Sequence, residues 1–243
     1  MEVKVLSYTT NPEITCAVAM RATRTNEPAH ALLNGIGLHG KSEWITQCKV
    51  SEDIQKQLCL HPKSHAKCQY NDRCAVRLLL KAKQMKHWGV FEHATFSISV
   101  KGISRACSHQ LVRHRQNSFL QQSQREVKID TTTQWWVLPS SMSPNKIGVE
   151  YYNDIHLLMD GIARRYNDLI RLGVPEEDAR FVLPNACKTN IVITANARQW
   201  LHIFKLRLAP SAQWEIREMC QLILTELMKI SPVIFEGAGR LEV

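Results

Sequence analysis

The sequence has no long hydrophobic run. Of its 243 residues, 44% are hydrophobic and 22% are charged, yet no apolar stretch approaches the ~20 residues that a membrane-spanning helix needs. The opening stretch MEVKVLSYTTNPE lacks the apolar core that a secretory signal carries. We therefore expect a cytoplasmic protein.

Internal repeats, a linker and a lysine-rich arm are also missing. A chain of this length can bury one full core or at most two. Without a linker, one domain over residues 1–243 is the economical prediction.

Cysteine is present but not in metal-binding pairs. The eight cysteines are scattered at positions 16, 48, 59, 68, 74, 107, 187 and 220. Zinc sites usually pair their ligands closely, whereas here only His61 and His65 share such a step. We predict reduced thiols and no bound metal, and we interpret residues 33–72 as an extended segment containing cysteine and histidine.

Positive charge is abundant and concentrated. The net charge is +9, and residues 101–128 carry six Lys or Arg against one acid. This indicates an anionic partner. The residues among these charges are His, Ser and Gln, in the stretch RHRQNSFLQQSQRE, Arg113 to Glu126. Arginine gives planar, bidentate anion contacts, so this composition favours a pocket for phosphates. By itself, the triplet Arg113-His114-Arg115 is also compatible with a solvated surface or a phosphate patch without catalysis.

Periodicity and capping residues predict a mixed α+β fold. The predicted strands are 2–8, 91–100 and 191–194. The predicted helices are Pro12 to about Arg21, 72–87, Ser104 to about Arg113, 148–172, 197–206 and 213–230. Asn11 and Asn196 are the expected N-caps, and Gly173 is the expected C-cap. On the helix predicted from Ser104, residues Gln110, Arg113 and His114 would share one face.

The stretch from Arg113 to Glu126, called the motif below, resembles the signature of flavin-dependent thymidylate synthases, the ThyX family. Arg113-His114-Arg115 is followed after seven residues by Ser123 and then by Arg125. FEH and ISRACSHQLVRHR upstream, and GVPEEDARFVLP, TANARQWLHIFKLR and AQWEIR downstream, resemble family segments in the expected order.

The resemblance implies a specific reaction. Family members methylate dUMP to dTMP, with methylenetetrahydrofolate as carbon donor and FAD, reduced by NADPH, as hydride source. It also implies a homotetramer with shared active sites and a mixed, antiparallel-rich sheet with long flanking helices. No cysteine nucleophile is required.

The resemblance also assigns residues. For dUMP they are Gln110, Arg113, Gln121, Gln122, Ser123, Gln124, Arg125, Arg180 and Arg207. For FAD they are His87, Arg113, His114, Arg115, Gln121, Asn196, Arg198 and His202. Arg207 is the expected catalytic residue, because a guanidinium beside the uracil could stabilise developing charge.

Several of these residues also have structural interpretations. His87 and His93 could be histidines at a buried strand end, and Arg180 could pair with Glu176 or Glu177. Ser123 is expected to bind by hydrogen bonds and not to act as a nucleophile, because no base is evident. Trp200 and Trp214 are expected in the core.

The chain departs from relatives at a few positions. Gly89 stands where many carry a hydroxyl residue, Gln121 replaces an acid, Glu126 replaces a frequent Tyr, and Ala209-Pro210 replaces a more polar pair. Two other functions are also compatible with the sequence. One is nucleic-acid binding, prompted by the charge and six Trp; the other is a flavoprotein without turnover.

Overall fold

The structure is a computed structural model that describes residues 1–26, 28–31 and 75–240. Within these ranges it combines helices with a four-stranded sheet, which confirms the α+β prediction. The strands are β1 (Glu2–Tyr8), β2 (Thr95–Ser104), β3 (Ser118–Gln121) and β4 (Lys188–Asn196), in the sheet order β1-β2-β4-β3. The α-helices are α1 (Pro12–Ala22), α2 (Ala75–Gln84), α3 (Arg105–Leu111), α4 (Pro144–Ile147), α5 (Val149–Arg171), α6 (Glu176–Ala179), α7 (Ala197–Arg207), α8 (Trp214–Ile230) and α9 (Pro232–Phe235). Short 3-10 helices cover Trp88–His93, Ser140–Met142 and Arg180–Val182.

The central strands β2 and β4 run antiparallel. The N–H of Ala197, just past the end of β4, donates to the carbonyl of Ala94, just before β2, at 2.8 Å. At the other end of the pair, the N–H of Arg105 donates to the carbonyl of Cys187 at 3.0 Å. The start of β2 therefore lies beside the end of β4, and the end of β2 lies beside the start of β4, which defines an antiparallel pair. This confirms the antiparallel character predicted for the sheet.

The described chain forms two compact units. Unit 1 comprises Met1–Glu2, Ser99–Arg113 and Phe119–Val192, and unit 2 contains the remaining residues. In unit 1, the inward face of α5 supplies Met159, Ala163 and Tyr166 to a core that includes Trp135 and Trp136. The hydroxyl of Tyr166 accepts a hydrogen bond from the N–H of Ile129, which satisfies the one polar atom of a fully buried ring.

The core of unit 2 is built on aromatic rings and on one face of α8. Phe235 packs edge-on against Phe96, with ring centroids 5.3 Å apart, and against Phe204, at 6.0 Å. The predicted α8 stripe is fully buried: Ile216, Met219, Cys220, Ile223 and Leu227. Burying such a stripe is what stabilises an amphipathic helix in a protein.

A buried acid, Glu13, and a half-buried base, Lys83, meet the last helix of unit 2. Oε1 of Glu13 accepts from the N–H of Val233 at 2.7 Å and from that of Ile234. Nζ of Lys83 donates to the carbonyls of Val233, at 2.6 Å, and Glu236, at 2.8 Å. Burial raises the pKa of Glu13 to about 7, although the two backbone N–H groups oppose this shift. Burial also lowers the pKa of Lys83 to about 8.

Two predicted elements are misplaced. The strand predicted for 91–100 begins four residues later, because the preceding residues form a 3-10 helix. This 3-10 helix buries the side chains of Trp88 and Phe91. The helix predicted to reach Arg113 ends at Leu111, so Arg113 and His114 do not share its face with Gln110. Strand β3, inside the motif, was not predicted.

The predicted caps have mixed outcomes. Asn196 caps α7 with its side chain, which accepts from the N–H of Gln199 at 2.9 Å. Asn11 does precede α1, but its backbone is left-handed and it forms no side-chain cap bond. The C-cap of α5 is Leu172, and Gly173 follows with φ +84°, a conformation that glycine adopts without strain.

No helix of the described part is both long and apolar enough to span a membrane. The segment 33–72 lies outside the described residues. So do the side chains that were considered as zinc ligands, which are Cys48, Cys59, Cys68, Cys74, His61 and His65.

Candidate functional site

The motif is a turn, a short strand and a second turn. Residues 113–117 form the first turn, in which Nδ2 of Asn117 donates to the carbonyl of His114 at 3.0 Å. Oγ of Ser123 closes the second turn by accepting from the N–H groups of Arg125 and Glu126. Ser123 thus acts through hydrogen bonds here, as a hydroxyl commonly does in turns.

Neighbouring glutamines of the motif bond to different partners in unit 1. Nε2 of Gln121 donates to Oγ of Ser108 at 3.0 Å and to Oγ1 of Thr189 at 3.1 Å. Oε1 of Gln122 accepts from Nδ2 of Asn190 at 3.1 Å.

Gln124 is buried, and its Nε2 lies 3.4 Å from Sγ of Cys187. Gln122 also lines a cavity of about 570 Å³, together with Lys101, Lys128 and Lys188.

Guanidinium groups gather in unit 1 around α6. Nε of Arg125 lies 2.7 Å from Oε2 of Glu177, and Nε of Arg180 donates to the Glu177 carbonyl at 2.9 Å. Arg180 is therefore bonded to the backbone of Glu177, while the carboxylate pairs with Arg125.

Arg105 is a further candidate that the sequence analysis assigned no role. Its Nη1 atom is buried and has no hydrogen-bond partner within the described residues. Burial lowers the pKa of Arg105, and the like charge of Arg180 lowers it further, while Cys187 opposes the shift. A buried N–H without a partner is costly, so this group is suited to an anionic ligand. The sequence placed Arg105 in the basic cluster, but nothing local to it indicated burial near Arg180.

In unit 2, the motif histidine meets the predicted catalytic arginine. Nε of Arg207, at the end of α7, donates to Nε2 of His114 at 3.0 Å. The ring of His202, also on α7, lies edge-on to His114 with centroids 6.1 Å apart. Burial lowers the pKa of His114 to about 4, with further lowering by Arg207 and His202. The imidazole is therefore neutral at pH 7.

The other predicted flavin residues of unit 2 are less enclosed. Arg115 and His87 are exposed. Arg198 pairs with Glu92. His93 is exposed as well, so the interpretation of His87 and His93 as buried strand-end residues is wrong.

The structure brings the predicted residues together in two groups. The residues Gln110, Arg113, Gln121, Gln122, Ser123, Gln124, Arg125 and Arg180 lie in unit 1. The residues His87, His114, Arg115, Asn196, Arg198, His202 and Arg207 lie in unit 2. Apart from Arg207, every residue expected only at dUMP is in unit 1, and every residue expected only at FAD is in unit 2. Trp200 is fully buried, as expected, while Trp214 is half-buried.

The cysteines of the described part are packed thiols. Cys16, Cys107, Cys187 and Cys220 are buried and form no disulfide bond with one another. Burial raises the pKa of Cys16 and of Cys220 to about 12, and it also raises that of Cys187. A nucleophilic cysteine requires the opposite shift. Within residues 1–26, 28–31 and 75–240, no three His, Cys, Asp or Glu side chains are grouped to hold a metal ion.

Known proteins resemble the chain across this region. A flavin-dependent thymidylate synthase of Geobacter sulfurreducens is 44% identical over 159 residues, 65% of this chain and 67% of the relative. One from Pyrococcus furiosus is 44% identical over 153 residues, 61% of this chain and 62% of the relative. One from Saccharolobus solfataricus is 43% identical over 155 residues, 63% of this chain and 57% of the relative.

These alignments leave a third or more of each relative uncovered, since they span 57% to 67% of its length. The family profile described as thymidylate synthase complementing protein extends further and matches residues 4–233. Since this match takes in nearly all of the sequence, the chain belongs to the thymidylate synthase complementing protein family, in which the relatives above are named flavin-dependent thymidylate synthases.

Proposed function

We propose that this protein is a flavin-dependent thymidylate synthase that methylates dUMP to dTMP. Methylenetetrahydrofolate is the proposed carbon donor, and NADPH is the proposed reductant of FAD. The observation that carries the proposal is a set of three arginine side chains in unit 1. Arg125 and Arg180 both contact Glu177, and Arg105 has a buried Nη1 atom without a hydrogen-bond partner in the described part.

The unit 1 residues suit a nucleoside monophosphate. Arg125 and Arg180 supply cationic donors for a phosphate, and the unpartnered Nη1 of Arg105 supplies another. Amide groups can both donate to and accept from a uracil edge, which lysine cannot do. We assign Gln110, Arg113, Gln121, Gln122, Ser123 and Gln124 to this set. Because Gln121 and Ser123 already hold neighbouring groups, they also shape the site.

The unit 2 residues suit a flavin dinucleotide. His87 and Arg115 are exposed cationic or polar groups suited to a diphosphate, and Arg198 and His202 are half-buried on α7. We assign these residues, with His114 and Asn196, to FAD, along with Arg113 and Gln121. The side-chain oxygen of Asn196 caps α7, which leaves its amide N–H groups for a ligand. When bound, the flavin would supply the hydride chemistry, which the protein itself lacks.

Arg207 is the proposed catalytic residue. A guanidinium beside the uracil ring can stabilise negative charge that develops on the ring. A cysteine nucleophile is not part of the proposal. The described cysteines are buried, and the pKa values of Cys16, Cys187 and Cys220 are raised, so these thiols stay protonated at neutral pH.

The assembly and location are also proposals. A homotetramer is supported by apolar side chains exposed along α5, such as Tyr151, Leu157 and Leu158, each more than 60% exposed. We propose that residues 1–243 act as a single domain, because β2 and β4 each contribute residues to both units. Buried cysteines that form no disulfide with one another in the described part suit a reducing compartment, which supports the cytoplasm.

The test is a visible absorption spectrum of the purified protein during anaerobic additions. Flavin bands should bleach with NADPH and return only when dUMP and methylenetetrahydrofolate are both present, with dTMP formed. Arg207→Ala should retain the bands and lose dTMP formation. A colourless protein that takes up no added FAD would refute the proposal, and salt-sensitive binding of generic DNA would then favour a nucleic-acid-binding role.

A further inference from the structure

His114 is the enclosed member of the Arg-His-Arg triplet. It is 9% exposed, whereas Arg113 and Arg115 on either side are exposed. A buried imidazole needs hydrogen-bond partners, and its Nε2 lies 3.0 Å from Nε of Arg207. The turn holds this ring in place through the bond from Asn117 to the His114 carbonyl.

The direction of the bond between the two side chains follows from their chemistry. A guanidinium only donates, so Nε2 of His114 must present its lone pair, and the ring proton must sit on Nδ1. The titratable groups that act on the ring are Arg207 and His202, both from α7. Protonation of His114 would remove the acceptor and place two positive charges in contact. The low pKa of His114, about 4, keeps the acceptor present at neutral pH.

We propose that His114 is a positioning residue that holds the guanidinium of Arg207 by its Nε edge and so orients this group for the reaction. This inference rests on the proposed function for its catalytic meaning, but the bond itself does not. The bond to His114 uses the Nε edge of the Arg207 guanidinium. A flavin contact alone would give His114 a different role, because its effect would then not depend on Arg207.

A double-mutant cycle on the holoenzyme separates the two roles. His114→Phe removes the acceptor, and Arg207→Lys keeps the charge but loses the Nε donor. We expect each single change to lower kcat roughly 10- to 100-fold. The kcat of the double variant should be at most about threefold below that of the less active single variant. All kcat values are measured at saturating FAD, so that any loss of a direct contact between His114 and the flavin does not enter the comparison. The matched cycle of His114→Phe with Arg115→Lys should be additive.

Rescue and spectroscopy complete the test. His114→Gln restores an acceptor oxygen and should recover most of the kcat lost in His114→Phe. In ¹⁵N-histidine NMR spectra, His114 should carry its proton on Nδ1 and remain neutral down to about pH 5. In Arg207→Ala the pKa of His114 should rise, because the like charge is gone.

An additive His114–Arg207 cycle, or an Nε2-protonated ring, would overturn the inference. If dTMP formation is absent while the NMR result holds, the proposed function fails and the bond between the two residues stands.

Discussion

Nε of Arg125 lies 2.7 Å from Oε2 of Glu177, and the Arg125 side chain is 65% exposed and that of Glu177 44% exposed. The carboxylate therefore occupies the guanidinium edge that a substrate phosphate would use. We expect Glu177→Gln to tighten dUMP binding about two- to fivefold at low salt, and less at high salt, because exposed charges are screened. Titration calorimetry with dUMP measures this. Glu150→Gln, an exposed acid at the start of α5, is the matched control and should change nothing. Weaker binding by Glu177→Gln would mean that Glu177 orients Arg125 and does not compete with the phosphate.

Arg105 should recognise the phosphate specifically. Its buried, unpartnered Nη1 gains a partner when an anion binds, so Arg105→Gln should weaken dUMP binding by about tenfold or more. Binding of deoxyuridine, which lacks the phosphate, should stay the same. Arg105→Lys should recover only part of the loss, since an ammonium cannot reproduce the fork. Equal losses for dUMP and deoxyuridine would assign Arg105 to the fold and not to the phosphate.

The cysteines should be dispensable for turnover. Cys107→Ala removes a fully buried thiol and should lower the free energy of unfolding by about 1 kcal/mol. Cys187→Ser keeps a hydrogen-bonding atom opposite Gln124. Both variants should form dTMP at more than about half the rate of the parent protein. A folded, FAD-loaded variant of either kind without turnover would identify a nucleophile and contradict the proposed chemistry.

Glu13 should make unfolding depend on pH in an unusual direction for an acid. Its folded pKa of about 7 exceeds the ordinary 4.5, so the folded state holds the proton more tightly between these values. Stability is then full below pH 4.5 and falls as pH rises through 7, by on the order of 3 kcal/mol. Glu13→Gln should remove this slope in urea unfolding between pH 5 and 7.5.

Lys83 gives a separate window for the same test. Its folded pKa of about 8 lies below the ordinary 10.5, so its contribution is complete above 10.5 and is lost as pH falls through 8. The pH 5 to 7.5 comparison therefore isolates Glu13. An unchanged slope in Glu13→Gln would show that another group causes it.

Local signals predicted the elements whose stability is local. Asn196 caps α7, and the α8 stripe is buried, because a cap and a helical repeat are contained in a few adjacent residues. Strand β3 was missed because it is only four residues long, SFLQ, and it depends on distant partners: Gln121 bonds to Ser108 and Thr189. Tertiary contacts of this kind override propensity.

The site was predicted as a set of residue types and not as a network. Motif order selected Arg125, Arg180 and Arg207, and spacing allowed a contact between Arg180 and Glu177, but no pattern indicates that the Glu177 carboxylate contacts Arg125. Nor does spacing reveal that His114 accepts from Arg207, since the two residues belong to distant segments. Arg105 was missed for the same reason: its burial depends on residues far along the chain.

The different partners of Gln121 and Gln122 make the motif sensitive to length. Gln121 reaches Ser108 and Thr189, while Gln122 reaches Asn190, because successive residues of extended chain face opposite ways. Deleting one residue from the turn at 113–117 would slide this segment by one position and exchange the two orientations. The number of residues between Arg115 and Ser123 therefore fixes which partners the two glutamines reach. A deletion or insertion there would be more damaging than most substitutions in the same segment.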